Sequence, residues 1–230
     1  MPRAFDVASS AVVLGLRLGA GYAARPARRR PEKLLELYEF EACPYCRRVR
    51  EALSEFDIDA LVLPCPKGGV RFRPRVLELG GKTLFPFLVD PNTGRAMYES
   101  ADIVAYLRET YDAPESPRTL GPIDVATGAL AAAVRVGHGV SARKSRAPSQ
   151  PLELWSFEGS AYSRLAREAL CELELPYILH NVAKGSPRRE SFVARSGTMM
   201  VPYLVDPNTG RSMFESADIV AYLNETYAVE

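Results

Sequence analysis

Alternating and helical spacings of apolar residues divide the chain into two similar trains of short elements. In the first train, residues 34–40 (Leu-Leu-Glu-Leu-Tyr-Glu-Phe) read as a strand and residues 44–56 as a helix. A second strand over 60–63 and a short helix over 73–79 come next. Residues 85–89 and 95–98 pair as a predicted hairpin across Asp90-Pro91-Asn92-Thr93-Gly94, where Pro and Asn-x-Gly favour a turn. Ser100 is a good N-cap residue and opens a last helix reaching Thr110, with Ile103, Val104 and Leu107 on one face. Ahead of the first strand, residues 6–24 read as an Ala- and Gly-rich helix suited to close packing.

The same train then recurs. Residues 88–111 and 204–227 agree at 21 of 24 positions and differ only at Ala96/Ser212, Tyr98/Phe214 and Arg108/Asn224. Phe85-Pro86-Phe87 matches Val201-Pro202-Tyr203, and Leu35-Glu36-Leu37-Tyr38 matches Leu152-Glu153-Leu154-Trp155. Upstream, Asp6-Val7-Ala8, Arg17, Gly19 and Gly21 fall in register with Asp124-Val125-Ala126, Arg135, Gly137 and Gly139. Such identity marks a duplicated unit. Residues 1–30, Arg-rich and short of acids, have the composition of a targeting segment. Their echo in mid-chain, where no targeting segment acts, argues for a structural helix belonging to each repeat. The predicted organisation is α/β, with a leading helix in 1–33, a first domain over 34–112, a linker and second leading helix over 113–150, and a second domain over 151–230.

Composition narrows the setting. With 230 residues, 47% hydrophobic and 25% charged, the chain can bury two modest cores. A net charge of +1 gives no reason to expect nucleic acid, and the arginines at 25–30 and 143–146 read as solvated links. No apolar stretch reaches the roughly 18 uncharged residues of a membrane span, because Arg17 and Arg135 interrupt the two candidates. Four cysteines, two in a close pair and two isolated, suit a reducing compartment, and a cytoplasmic location is expected.

The pair is Cys43-Pro44-Tyr45-Cys46, delivered by a strand to the start of a helix. Unpaired N–H groups at a helix start carry partial positive charge, favour thiolate over thiol, and can lower a cysteine pKa from about 8.5 to roughly 3.5–7.5. Cys43 is the candidate thiolate and Cys46, one turn further in, the resolving thiol. A low pKa also makes Cys43 a good leaving group when a second thiol attacks a mixed disulfide on its sulfur. The same spacing serves as half of a zinc site, but the second half needs another Cys or His pair. Cys65, Cys171, His138 and His180 stand too far apart in sequence to supply one, so no metal is expected.

Strand, Cys-Pro-Tyr-Cys, helix, strand, helix, an apolar-Pro step and a hairpin closing on Glu-Ser before the last helix resembles the thioredoxin fold of glutaredoxins and of glutathione transferase N-terminal domains. GST-like bacterial glutaredoxin and the prostaglandin E synthase 2 type of glutaredoxin domain are the nearest likeness. The resemblance covers residues 34–111 and 152–227. It departs from the transferases in lacking an all-helical C-terminal domain; a second thioredoxin-like unit stands in its place. The resemblance implies two tandem thioredoxin-like domains and glutathione as co-substrate. It also implies that Pro86 is the cis-proline of the fold, that the backbone of Phe85 pairs with the cysteinyl part of glutathione, and that Glu99 and Ser100 hold the γ-glutamyl end. Tyr45 would pack beside the sulfur, and Lys67, Arg71 or Lys82 would meet the glycyl carboxylate, three alternatives the residues leave open. Physical chemistry supports the Glu99–Ser100 assignment independently, since a helix N-terminus binds a carboxylate and Glu99 can accept from an ammonium group. Ser100 is equally satisfied as a plain N-cap.

In the second repeat Ser160 and Ser163 replace Cys43 and Cys46, while Val201, Pro202, Glu215 and Ser216 persist. Serine cannot exchange disulfides, so this unit is expected to be a scaffold or a second ligand site, paired with the first within the molecule. Cys171 is expected in the core, as free Cys behaves as a small apolar residue, and Cys65, between two prolines, to be exposed. The expected activity is glutathione-dependent thiol–disulfide exchange on disulfide or glutathionylated substrates through the first domain. Alternatives are a glutathione transferase, or a non-catalytic glutathione or iron–sulfur cluster module.

Overall fold

The computed structural model describes residues 21–115 and 137–229. The first unit runs β1 (Leu35–Glu39), α1 (Pro44–Phe56), β2 (Ala60–Pro64), α2 (Arg73–Gly80), β3 (Phe87–Asp90), β4 (Arg95–Met97), α3 (Ser100–Thr110). The second repeats it as β5 (Leu152–Ser156), α4 (Ala161–Glu172), β6 (Tyr177–Asn181), α5 (Arg189–Ser196), β7 (Tyr203–Asp206), β8 (Arg211–Met213), α6 (Ser216–Tyr227). Strands and helices within the first unit lie where the sequence pattern predicts them, with ends moved by one or two residues. The largest shift, at β3, has a cause: Pro86 has no N–H to give to a ladder, so pairing starts only at Phe87.

All eight strands form one sheet in the order β4-β3-β1-β2-β6-β5-β7-β8. Within each unit the first two strands are parallel and the hairpin is antiparallel. The units join where β2 meets β6 antiparallel, pairing Ala60 with Leu179, Leu61 with Ile178 and Val62 with Tyr177. Leu61 and Ile178 are counterparts in the repeat, so an approximate two-fold axis passes between them. On one face, α1 and α3 bury Leu35, Leu37, Val49, Leu53, Phe56, Ile103 and Leu107. A smaller cluster of Tyr38, Leu63, Cys65, Val76 and Phe87 lies under α2. Val62 is buried in the second unit's core, which ties the two units by packing as well as by the ladder.

Near-identity of residues 88–111 and 204–227 has a structural cause. Asp90 Oδ1 accepts from the backbone N–H and side-chain amide of Asn92, both at 2.8 Å, while Oδ2 accepts from the hydroxyls of Tyr106 (2.7 Å) and Tyr111 (2.5 Å). The turn is thereby pinned to the last helix. Asp206, Asn208, Tyr222 and Tyr227 repeat this arrangement at the same distances.

Most of the predicted leading helix, and its counterpart in 116–136, lie outside the described residues. Residues 21–24 are not helical. They cross to the other unit, where Ala24 N–H donates to Lys184 O (2.7 Å), Lys184 N–H to Tyr22 O (3.0 Å) and Gly159 N–H to Gly21 O (3.1 Å). Reciprocally, Lys67 N–H donates to Val140 O (2.6 Å), Ala142 N–H to Lys67 O (2.8 Å) and Ala42 N–H to Gly139 O (3.4 Å). Residues 21–24 and 139–142 therefore pair with the opposite unit, while the residues just after them return to their own, with Ala27 N–H donating to Phe56 O (2.9 Å) and Arg143 N–H to Glu172 O (2.7 Å). Both crossings need glycine: Gly21 and Gly139 have φ of +69° and +71°, and a Cβ would come within 2.8 Å of Glu158 Cβ and 2.9 Å of Glu41 Cβ respectively.

Beside the two-fold axis lies a cluster of buried charge. Arg50 contacts Glu39, Glu41 (3.3 Å) and Glu158 (3.0 Å), and Arg167 contacts Glu41 (3.1 Å) and Glu158 (2.9 Å). Arg47 and Arg164 add bridges to Glu51 (3.3 Å) and Glu168 (3.2 Å) within their own helices. Burial would raise the Glu158 carboxyl, but Arg167, Arg50 and Arg47 overcome it and hold the group down at about 2. Glu39, whose counterpart is Ser156, is pushed the other way: burial, reinforced by Glu41 and Glu158, lifts it to about 7 despite the Arg50 guanidinium against it.

Removing one member of such a cluster leaves its partners charged and dry, which costs about 3–5 kcal/mol. Glu158→Ala is expected to lower stability by that amount in chemical denaturation, in one transition common to both units. A loss under about 1 kcal/mol, the range of a surface pair, or separate transitions for the two units would contradict this placement.

Candidate active site

Strand β1 ends at Glu39, and a turn closed by Cys43 N–H donating to Phe40 O (3.1 Å) sets Cys43 at the mouth of α1. Cys43 is the N-cap residue, with extended φ and ψ of −72° and 122°. Its sulfur accepts from the backbone N–H of Cys46 at 3.3 Å, the role a serine oxygen usually fills. Pro44 occupies the first helical position, where a missing N–H costs nothing, and no acidic residue in the first turn offsets the positive helix end. The Cys43 thiol is lowered to about 7. The Cys46 thiol donating to it contributes most; the backbone N–H groups of Cys46 and Tyr45 and the charge of Arg50 add to this, against burial. Cys46, fully buried behind it, is raised well above the usual thiol range by that burial and by donating to Cys43.

The Phe85–Pro86 peptide bond is cis, as the resemblance implies. It carries Phe85 O to 4.0 Å from the Cys43 sulfur. Tyr45, Leu84, Phe85, Pro86, Tyr98, Glu99 and Ser100 line a cleft of about 270 Å³. Tyr45 is half exposed at its rim. Glu99, not Ser100 as expected, is the N-cap residue of α3; Ser100 is the first helical residue, and the φ of +64° at Glu99 is an unfavourable conformation for a side-chain-bearing residue that costs about 1–3 kcal/mol and recurs at ligand sites. Ser100, buried at the start of α3, lines the cleft beside Glu99. Cys43, Cys46, Tyr45, Phe85, Pro86, Glu99 and Ser100 thus gather in one place, although β2 and α2 separate the first three from the rest in sequence.

The second unit builds the same frame in oxygen. Ser160 Oγ accepts from Ser163 N–H (3.2 Å) and from Ser163 Oγ–H (2.9 Å). The Val201–Pro202 bond is cis, Glu215 has φ of +63°, and the Ser216 hydroxyl is buried without a partner.

Two expectations need correction. Cys65 is fully buried rather than exposed, because the end of β2 carries it under α2 against Val76 and Phe87, and burial pushes its thiol far up. Arg71 is not available to a glycyl carboxylate. Its guanidinium donates to Leu173 O (3.1 Å), Glu174 O (2.7 Å) and Ser145 (2.9 and 3.1 Å), all across the seam. Lys82 lies over the Tyr98 ring at 5.8 Å, at the edge of the cleft, and the backbone of Lys67 holds the crossing segment. Cys171 is buried, as expected, with its sulfur 3.4 Å from Glu41 N. Sequence reasoning missed Arg73, whose guanidinium sits 4.8 Å over the Phe85 ring, and Arg50, which reads as one more polar position of an amphipathic helix. Among the described residues no group of three or more His, Cys, Asp or Glu is placed to hold a metal ion.

Alkylation of native Cys43 by iodoacetamide is expected to rise with pH through a midpoint of about 7 as the thiolate forms. Cys46→Ala removes the largest cause and should move the midpoint up by about one unit, the worth of one hydrogen bond to a charged group. Cys46→Ser, able to donate as Ser163 does, should keep most of the shift. A native midpoint at the unperturbed value of about 8.5 would contradict the electrostatics of the helix start. Cys65 and Cys171 should remain unlabelled until the chain unfolds.

Comparison with known proteins places this geometry in a family. The model of the glutathione S-transferase N-terminal domain matches residues 37–115 and again 154–230. No curated protein matches the chain. Among solved structures, a glutathione transferase of Bombyx mori is 23% identical over 41% of this chain and 43% of its own, with a TM-score of 0.35. A trimeric glutathione transferase of Leishmania is 16% identical over 86% of this chain and 68% of its own, with a TM-score of 0.30. This chain thus spans less than half of the Bombyx mori enzyme. Two separate family matches, each beginning within a unit's first strand and running past its last helix or to the chain's end, identify both halves: the chain belongs to the glutathione S-transferase N-terminal domain family and carries that domain twice.

Proposed function

We propose that the first unit is a glutathione-dependent thiol–disulfide oxidoreductase of the glutaredoxin kind, with Cys43 as nucleophile. The observation that carries this reading is the Cys43 sulfur capping α1, lowered to about 7 and next to the cis Phe85–Pro86 bond. The Cys43 thiolate attacks the glutathionyl sulfur of a protein–glutathione disulfide, the S–S bond breaks, and the protein leaves as a thiolate that takes a proton from water. A glutathione thiolate then attacks the glutathionyl sulfur on Cys43, giving oxidised glutathione and returning Cys43 as thiolate. For a substrate that is itself a disulfide, Cys43 attacks one sulfur and the other leaves as thiolate; Cys46 then loses its proton and displaces the substrate as a dithiol, forming a Cys43–Cys46 disulfide that two glutathiones reduce in turn. The high pKa of Cys46 makes it the slower attacker, which suits a thiol used only in the second route.

In this reading the Phe85 backbone pairs with the cysteinyl part of glutathione, Glu99, Ser100 and the start of α3 hold the γ-glutamyl end, and Tyr45 covers the sulfur. The cleft these residues share supports that assignment. The second unit is a structural partner: its cysteine positions are oxygen, and its Gly139, Cys171 and Arg167 brace the Glu41–Ala42 turn just before Cys43. The frame around Val201, Pro202, Glu215 and Ser216 is left as a ligand site without thiol chemistry.

Turnover of a glutathionylated peptide, coupled to glutathione reductase, is expected to fall about a hundredfold or more in Cys43→Ser and to persist in Cys46→Ser. Its rate should rise with pH through about 7, following the Cys43 thiolate. Conjugation of glutathione to 1-chloro-2,4-dinitrobenzene that survives Cys43→Ser, with no peptide turnover in the unaltered protein, would replace this reading with a transferase.

A further inference from the structure

A second cleft, of about 400 Å³, opens beside the seam, between α5 and the strands β5 and β6, and its lining includes Asp59, Trp155, His180, Arg188, Ser191 and Arg195. It shares no residue with the Cys43 cleft. The duplicated units diverge in polarity here. Counting from the strand and helix starts, His180 stands where the first unit has Leu63, Asn181 where it has Pro64, and Arg195 where it has Leu79. In the first unit Leu63 belongs to an apolar cluster and Leu79 is an exposed apolar residue.

The hydrogen-bonding capacity of the cleft is one-sided. Both ring nitrogens of His180 face carboxylates, Asp59 and Glu153, each at 3.1 Å. Asp59 Oδ1 accepts from Asn181 N–H (2.9 Å) and Oδ2 faces both His180 and Arg188. The Asn181 amide donates to Ile58 O (2.7 Å) and accepts from Ser54 (2.9 Å). The charged acceptors are therefore engaged, while donors are left over. Arg195 is exposed, rests its guanidinium 4.7 Å over the Trp155 ring, and has no ion pair among the described residues. The Nε–H of Arg188 is buried without an acceptor. Surplus donors call for an acceptor, and a planar guanidinium recognises carboxylate or phosphate best. Trp155, Phe192 and Val182 supply apolar walls, with Trp155 already stacked on His180 at 4.3 Å.

We infer that this cleft binds a small amphipathic organic anion, its carboxylate or phosphate on Arg195 and its flat apolar body against the aromatic wall. The site is independent of Cys43 and of the activity proposed for it. Trp155 is the chain's one tryptophan, so its emission reports on this cleft alone.

The test titrates the full chain with phenyl phosphate and with phenylacetate, excited where neither absorbs, and repeats the measurement by calorimetry. At least one probe should give a saturable change, and the tighter of the two identifies the headgroup. Neutral phenylacetamide and inorganic phosphate alone should bind about tenfold or more weakly, and Arg195→Ala should weaken the preferred probe by a similar factor. Because Arg195 is exposed, the variant should fold and keep its Cys43 alkylation midpoint; Arg195→Lys, which keeps the charge but not the fork, should fall between the two. The inference is overturned if neither probe saturates below about 10 mM. It is equally overturned if phenylacetamide or inorganic phosphate alone binds as well, or if Arg195→Ala leaves affinity unchanged.

Discussion

Arg50 and Arg167, locked with Glu41 and Glu158 away from water, are the contact on which the rest of the molecule is arranged. Buried ions are tolerable only when each finds its partner, and here each arginine is shared between a glutamate of its own unit and one of the other. Neither arginine has its full set of partners without the other unit's glutamate. Glu41 and Glu158 also stand two residues before the capping positions Cys43 and Ser160, so the cluster that joins the units fixes both helix mouths. Arg50 Nη2 donates to Glu41 O (3.1 Å), which extends the clamp from side chain to backbone.

Duplication gave this protein two identical frames, and their chemistry has since separated. The first keeps sulfur at the helix mouth. The second keeps the cap, the cis bond and the glutamate at positive φ, but with oxygen where exchange would need sulfur. Replacing a capping sulfur with a capping oxygen preserves the helix start while removing the capacity for disulfide exchange, so the cap and the thiol part at a single atom. The second unit keeps the matching apolar cluster but places His180 and Arg195, in a cleft beside it, where the first has Leu63 and Leu79.

Much of this was legible in the residues. Alternation located the strands, Ser100 and the Asn-x-Gly turn placed the hairpin and last helix, and Cys-Pro-Tyr-Cys placed the thiols. The internal identity revealed two units, though not the bonding of Asp90 to Tyr106 within the last helix and to Tyr111 at its C-cap, which is repeated in the second unit. Arg47, Arg50, Arg164 and Arg167 look like solvated helix positions because a one-dimensional pattern does not show that glutamates of both units fold against them. Cys65 looked exposed between prolines because the packing of α2 over it is a tertiary contact. Gly21 and Gly139 were visible as a matched pair, yet only a fold in which chain segments change sides explains why a Cβ has no room there.

That exchange of sides has a topological consequence. Since residues 21–24 lie on the second unit and residues 139–142 on the first, the halves are clasped like crossed forearms, and the covalent join between them is not what keeps them together. A chain nicked anywhere in 116–136 would leave two fragments that each hold a strip of the other.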